Sequence, residues 1–184
     1  PEQFKDAKYS AERERSVGLG VMGFHSFLQK KRIPLESVMA KSWNKKIFKN
    51  IHEKVNQASK DLAEERGACP DAAEYGFKER FSNKTAIAPT ASISIICGGA
   101  SPGVEPIAAN SYTHKTLSGS FNVRNRYLEE ILESHGKNDD ETWSTITTNQ
   151  GSVSHLDFLT DLEKDVFKTA FELNQKWIIE LSGD

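Results

Sequence analysis

Apolar residues recur at three- and four-residue steps over most of this chain, and one stretch, Thr85 to Gly103, breaks that rhythm. Three- and four-residue spacing lines one face of an α-helix, whereas a half-buried strand needs a period of two. Val17, Val21, Phe24 and Leu28 predict a first helix. Trp43, Ile47, Ile51, Val55 and Leu62 predict a longer one, which Gly67 can end and Pro70 cannot continue. Asp71 to Lys84 reads as a loop with a short helical turn, Tyr127 to Ser134 as a short helix, and Gly136 to Glu141 as an exposed polar loop. Leu159, Leu162, Val166, Ala170, Leu173, Trp177 and Leu181 predict one long closing helix. Thr160 and Glu163 fit a capping box at its start, and Gly183 suits its stop. In the interrupting stretch, Thr85 to Ala88 reads as a strand. The apolar Ile93 to Ile96 follows, then a turn marked by Gly98, Gly99, Pro102 and Gly103. Helices therefore dominate, with one or two buried strands among them, which is mixed α/β rather than an all-α bundle.

At 184 residues the chain can build one substantial core, so a single domain is expected. Hydrophobic residues at 37% and charged residues at 27% suit a globular chain rather than a disordered one. A formal net charge of −2 gives no electrostatic reason to expect nucleic acid or an anionic membrane as partner. No apolar run approaches the ~20 residues of a membrane span, and no signal peptide opens the chain. Two cysteines, Cys69 and Cys97, cannot form a disulfide framework and point to a reducing, cytoplasmic setting. The chain opens on Pro1 rather than methionine, which predicts a segment of a longer protein.

Gly18-Leu19-Gly20-Val21-Met22-Gly23 matches the dinucleotide fingerprint G-x-G-x-x-G. That fingerprint needs a buried strand before it and an acidic residue about twenty positions later. Here the preceding Ser10 to Arg15 are polar and helix-prone, so the glycines are read instead as close-packing positions within a helix. Ala88-Pro89-Thr90-Ala91-Ser92 carries more chemistry. A strand running through small hydroxyl residues into a helical turn leaves backbone amides unpaired, and these amides, the helix dipole and the hydroxyls of Thr90 and Ser92 can hold a phosphate. An ordinary helix cap, with Thr90 or Ser92 satisfying its own backbone, explains the same residues. Cys69 and Cys97 lack the spacing of zinc ligands, and Cys97 is expected to be buried as a small hydrophobe. The five histidines fall in no nucleophile or metal pattern, and no carboxylate pair stands out for acid–base work. Tyr112 to Lys115 and Arg124 to Arg126 are locally basic, fitting a solvated face or a phosphate clamp.

Taken in order along the chain, these segments resemble the ribonucleotide reductase large subunit. Ala88-Pro89-Thr90-Ala91-Ser92, then Gly103-Val104-Glu105-Pro106, then Asn110-Ser111-Tyr112-Thr113-His114 follow the family's phosphate loop and the two motifs after it. Leu117 to Phe121 and Asn125 to Leu128 continue the likeness. Arg15 to Val21, Leu62 to Pro70, and Asn149 to Val153 with the helix to Leu181 extend it over nearly the whole chain.

The resemblance implies an α/β fold that is a fragment of the family's ten-stranded α/β barrel, helix-rich with few strands. Residues 1–184 would be a single partial domain with the phosphate loop at 88–94. It implies a ribonucleoside-diphosphate reductase, which makes deoxyribonucleotides for DNA synthesis by thiyl-radical chemistry and is more like class I than class II. Thr90, Ala91, Ser92 and Ile93 would hold the substrate phosphates, a positioning role. The radical cysteine and its neighbours would precede Pro1, and the radical-path tyrosines and terminal cysteine pair would follow Asp184. No catalytic residue, metal ligand or cofactor is therefore expected within the chain. The parent would need a radical from a small subunit and nucleoside triphosphate effectors. Its partners would be the ribonucleotide substrate, the remainder of the large subunit, the small subunit and a second copy of itself. Two other readings stay open: half of a split reductase that assembles non-covalently, and a non-catalytic helical interaction module.

Overall fold

The computed structural model describes residues 2–117 and 119–183. Within them the elements run α1 (Lys5–Glu14), α2 (Phe24–Lys30), α3 (Val38–Arg66), α4 (Pro70–Glu74), α5 (Ala91–Ile96), β1 (Ser111–Thr116), β2 (Gly119–Arg124), α6 (Arg126–Ser134), α7 (Asp140–Thr148), α8 (Asp161–Val166) and α9 (Gln175–Gly183). They form two compact units, one of residues 1–20 and 45–88, the other of residues 21–44 and 89–184.

In the first unit the long helix ends where the sequence says it should. Gly67 turns left-handed at φ +81°, and Pro70 opens α4 at a position where its missing amide costs nothing. Ser59, Ala63, Cys69 and Ala72 are buried here. The guanidinium of Arg80 donates to the carbonyls of Arg66 and Gly67 at 2.9 and 3.0 Å, which supplies partners for the last carbonyls of α3. Arg13 of α1 ion-pairs with Asp71 at 2.6 Å and with Glu74 of α4.

Of the first predicted helix only the second half forms, as α2 with Phe24 and Leu28 buried. Helix α1 stops at Glu14 on a left-handed Arg15, and the chain then runs without helix to Phe24. Val17 and Leu19 donate to the carbonyls of Asn83 and Lys84, Ala86 donates back to Leu19, and Leu19 and Thr85 form an isolated parallel bridge. Gly18 and Gly20 do allow close packing, in extended backbone rather than in a helix. A Cβ on either would sit 2.8 Å from Ala86, against its Cβ at Gly18 and its carbonyl oxygen at Gly20. The strand expected at Thr85–Ala88 reduces to that one bridge.

The second unit holds the main core. Leu128, Ile131 and Leu132 of α6 pack with Trp143 and Ile146 of α7, and with Val153, Leu156, Leu159, Val166 and Phe167. Trp143 is 2% exposed, and its indole N–H donates to Asn138 Oδ1 at 2.8 Å, so burial leaves no orphaned donor. The capping box forms as predicted: Glu163 N donates to Thr160 Oγ1 and Thr160 N to Glu163 Oε2. The closing helix is not continuous, however. Helix α8 ends at Val166, and α9 starts only at Gln175. Between them, the carbonyl of Phe167 accepts from Asn110 Nδ2 at 2.7 Å, and Thr169 N donates to Glu172 Oε2. Both bonds take backbone groups that a continuing helix would have used.

The two strands lie where none was predicted. β1 and β2 form an antiparallel hairpin with Tyr112 opposite Val123 and His114 opposite Phe121. Its base is tied by Asn110 and Asn125: Asn125 N donates to Asn110 O, and Asn125 Nδ2 to Asn110 Oδ1, each at 2.8 Å. Helix α7 begins at Asp140, within the stretch read as loop, because Asp139 caps it through Thr142 N at 2.8 Å.

Candidate functional site

From Pro89 onward the expected phosphate segment belongs to the second unit, Ala88 being the last residue of the first. Thr90 is left-handed at φ +52°, a conformation that a β-branched residue rarely adopts, and α5 starts immediately after it. The first helical bond runs from Ser94 N to Thr90 O at 2.8 Å. The amides of Ala91, Ser92 and Ile93 precede that bond, and no side chain caps them. An ordinary cap, the competing explanation of these residues, is thus not what the structure shows. The Thr90 hydroxyl instead accepts from Gly103 N at 2.8 Å. Among the described residues it makes no second bond, so its own proton remains free to donate. Ala91, Ser92 and Ile93 are exposed. The four predicted residues thus lie together on one turn, with uncapped amides and a hydroxyl donor.

The other end of α5 is closed by backbone geometry. Gly98 and Gly99 are left-handed at φ +83° and +72°, letting Gly99 N and Ala100 N return to Ser94 O at 3.0 and 3.1 Å. The guanidinium of Arg126 donates to Gly98 O, placing a cation at the negative end of the helix. Ile93–Ile96 is helical, with Ile96 82% exposed, so no buried strand exists here. Cys97 is exposed rather than buried, because it ends that short helix instead of entering the core.

In the second basic stretch, neither guanidinium bonds to Thr90–Ile93. Arg124 pairs with Asp140 at 2.7 Å and stacks 5.2 Å from the Trp143 ring centroid, and Arg126 is spent on Gly98. Among the described residues, no cluster of His, Cys, Asp and Glu is placed to hold a metal ion, and no helix is long and apolar enough to cross a membrane.

Sequence reasoning missed a set of buried polar contacts in the same unit. His25 is buried on α2, and its Nδ1 accepts from Ile107 N at 3.1 Å. Burial holds its imidazolium form off, lowering the pKa from 6.5 to about 4. Asn125 Nδ2 reaches Gln29 Oε1 at 3.0 Å, and Asn110 Nδ2 reaches Gly151 O at 2.9 Å as well as Phe167 O. The one available signal was indirect: asparagines flanking a hairpin commonly bond to nearby backbone.

The chain matches the family described as "Ribonucleotide reductase, barrel domain" over residues 2–79 and 71–184. It belongs to that family. A ribonucleoside-diphosphate reductase large subunit of Invertebrate iridescent virus 6 is 47% identical over 100% of this chain and 19% of its own length. That of Invertebrate iridescent virus 3 is 44% identical over 100% of this chain and 29% of its own length. Among solved structures, the Actinobacillus ureae class Id ribonucleotide reductase alpha subunit superposes with a TM-score of 0.88 at 40% identity. That superposition covers 97% of this chain and 32% of the other. The reductase-barrel chain thus spans less than a third of the length of these relatives, and its fold is a helix-rich α/β fragment of their barrel, most like class I.

Proposed function

We propose that this chain forms the substrate-phosphate side of the barrel in a ribonucleoside-diphosphate reductase large subunit. The observation that carries this reading is the uncapped first turn of α5, where the amides of the exposed residues Ala91, Ser92 and Ile93 follow directly on half-buried Thr90 and its hydroxyl. A diphosphate gains there from oriented donors, and held at its phosphates it presents its ribose in a fixed position. The chain's own residues bind and orient, while bond-making at the ribose belongs to the thiyl-radical centre elsewhere in the subunit. Cys69 is buried and is assigned no catalytic role, and neither is Cys97. The partners on this reading are a ribonucleoside diphosphate, the rest of the large subunit, a radical-supplying small subunit and a second large subunit. Nucleoside triphosphate effectors bind outside this chain, and the setting is cytoplasmic.

The test is Thr90→Ala combined with Ser92→Ala in a complete large subunit carrying this chain. The expected result is a KM for ribonucleoside diphosphate raised about tenfold or more, as for loss of charge-assisted hydrogen bonds. An unchanged KM and turnover refutes the assignment.

A further inference from the structure

The strained Thr90 that opens the phosphate turn is held from one side by Gly103, and Gly103 is itself held. Two residues before it, Ser101 is fully buried and locked to the start of α2 by a reciprocal pair of bonds. Ser101 N donates to Ser26 Oγ at 2.8 Å, and Ser26 N donates to Ser101 Oγ at 3.2 Å. A third bond runs from Gly23 N to Ser101 O at 2.8 Å. Each hydroxyl serves the other residue's backbone, so the clasp fixes both position and orientation of residues 75 apart in the chain. Pro102 joins the clasp to Gly103, and its ring locks φ, so the link is stiff. From Gly103 a single bond of 2.8 Å reaches the Thr90 hydroxyl. A left-handed threonine persists only where its surroundings over-determine it, and this chain of contacts is what does so.

We propose that Ser101, with Ser26, is a positioning residue for substrate phosphate: the clasp sets where Gly103 stands, and Gly103 sets the Thr90 hydroxyl and the amides that follow it. This rests on the phosphate reading of α5. Ser101 touches no substrate and acts only through the backbone. The exposed turn carries the donors, while a buried pair of serines on another element aims them. Removing the Ser101 hydroxyl takes the acceptor from Ser26 N, loosens the Ser101–Pro102–Gly103 link and leaves Thr90 free to relax out of its strained state.

The experiment compares Thr90→Ala, Ser101→Ala, Ser26→Ala and the double variant Ser26→Ala/Ser101→Ala in a complete large subunit. KM and kcat for ribonucleoside diphosphate are measured beside the thermal midpoint. Expected for Ser101→Ala is a KM raised about tenfold, since small displacements of a positioning group carry large rate and binding penalties. The kcat at saturation should stay within about twofold, and the double variant should resemble the single ones, because the two bonds act as one unit. A KM raised by Thr90→Ala but untouched by Ser101→Ala overturns the clasp while the phosphate turn stands. A KM untouched by Thr90→Ala removes the phosphate reading and the clasp's role with it. A fall in kcat at constant KM shows loss of folded enzyme and also overturns the proposal. If Ser101→Ala does not fold, Ser26→Ala opens the same clasp from its other side. Failure of both to fold makes the pair a folding element and refutes the positioning role.

Discussion

His25 makes the stability of this chain depend on pH in a window that carboxylates do not reach. The imidazole is 2% exposed and neutral in the fold, with its pKa lowered by burial from 6.5 to about 4. Below pH 6.5 the unfolded chain takes up a proton that the folded one refuses, so stability falls with falling pH. The loss begins near pH 6.5 and ends near pH 4, where the folded state also protonates. Each pKa unit corresponds to about 1.4 kcal/mol, which sets the full loss at about 3 kcal/mol, with about 2 kcal/mol gone by pH 5. Glu79 and Glu163 are held below the usual carboxylate range. Burial opposes this, but hydrogen bonds from Ser59 and Lys84 to Glu79, and from Thr160 and His135 to Glu163, outweigh it. Their stabilisation is present above their unfolded pKa of 4.5 and is lost as pH falls through the lower folded value, below the span from pH 7 to 5 in which His25 acts. Urea unfolding across that window should lower the midpoint by about 1 M, taking about 2 kcal/mol per molar for the slope. His25→Asn keeps an acceptor near the Nδ1 position for Ile107 N and removes the titration. The variant should start less stable yet lose most of the pH dependence between 7 and 5. An equal slope in His25→Asn and the unsubstituted chain refutes the reasoning.

Two further expectations follow from the same geometry. Asn110→Ala removes the side-chain bonds to Gly151 O, Phe167 O and Asn125 together. It should cost about 2 to 4 kcal/mol in urea unfolding, because buried groups are left unpaired, and a cost under about 0.5 kcal/mol contradicts the role given to the network. Gly20→Ala places a Cβ 2.8 Å from the Ala86 carbonyl oxygen. It should destabilise by about 1 to 3 kcal/mol and raise hydrogen exchange at Ala86 N, and unchanged exchange there refutes the close pairing.

The readable parts of the sequence were those whose causes are local. Trp43 to Leu62, Gly67 and Pro70 state a helix and its end within one window, and the Thr160–Glu163 box was found at its spacing. The unreadable parts depend on partners far along the chain. Val17 to Leu28 matches helical spacing, yet Val17 and Leu19 are claimed by Asn83 and Lys84. The long closing helix fails where Asn110, 57 residues earlier, takes the Phe167 carbonyl. The hairpin gave little warning, because Tyr112 and Phe121 are exposed and its alternation is weak. The turn into α5 was legible through its small hydroxyl residues. Its geometry was not: the left-handed Thr90 is met at its hydroxyl by Gly103, thirteen positions on.

The clasp between Ser26 and Ser101 also fixes an order in time. The second unit is discontinuous, with residues 45–88 of the first unit lying between its two stretches of sequence. Among the bonds that join those stretches, Ser26–Ser101 spans 75 positions and His25–Ile107 spans 82. On the ribosome the first cannot close until Ser101 has emerged and the second until Ile107 has, so α2 must wait while every residue of the intervening stretch is made. Such long closures cost chain entropy before any contact repays it. The turn at Thr90 is then fixed only after this long-range closure, and refolding should restore its strained Thr90 more slowly than the helix it precedes.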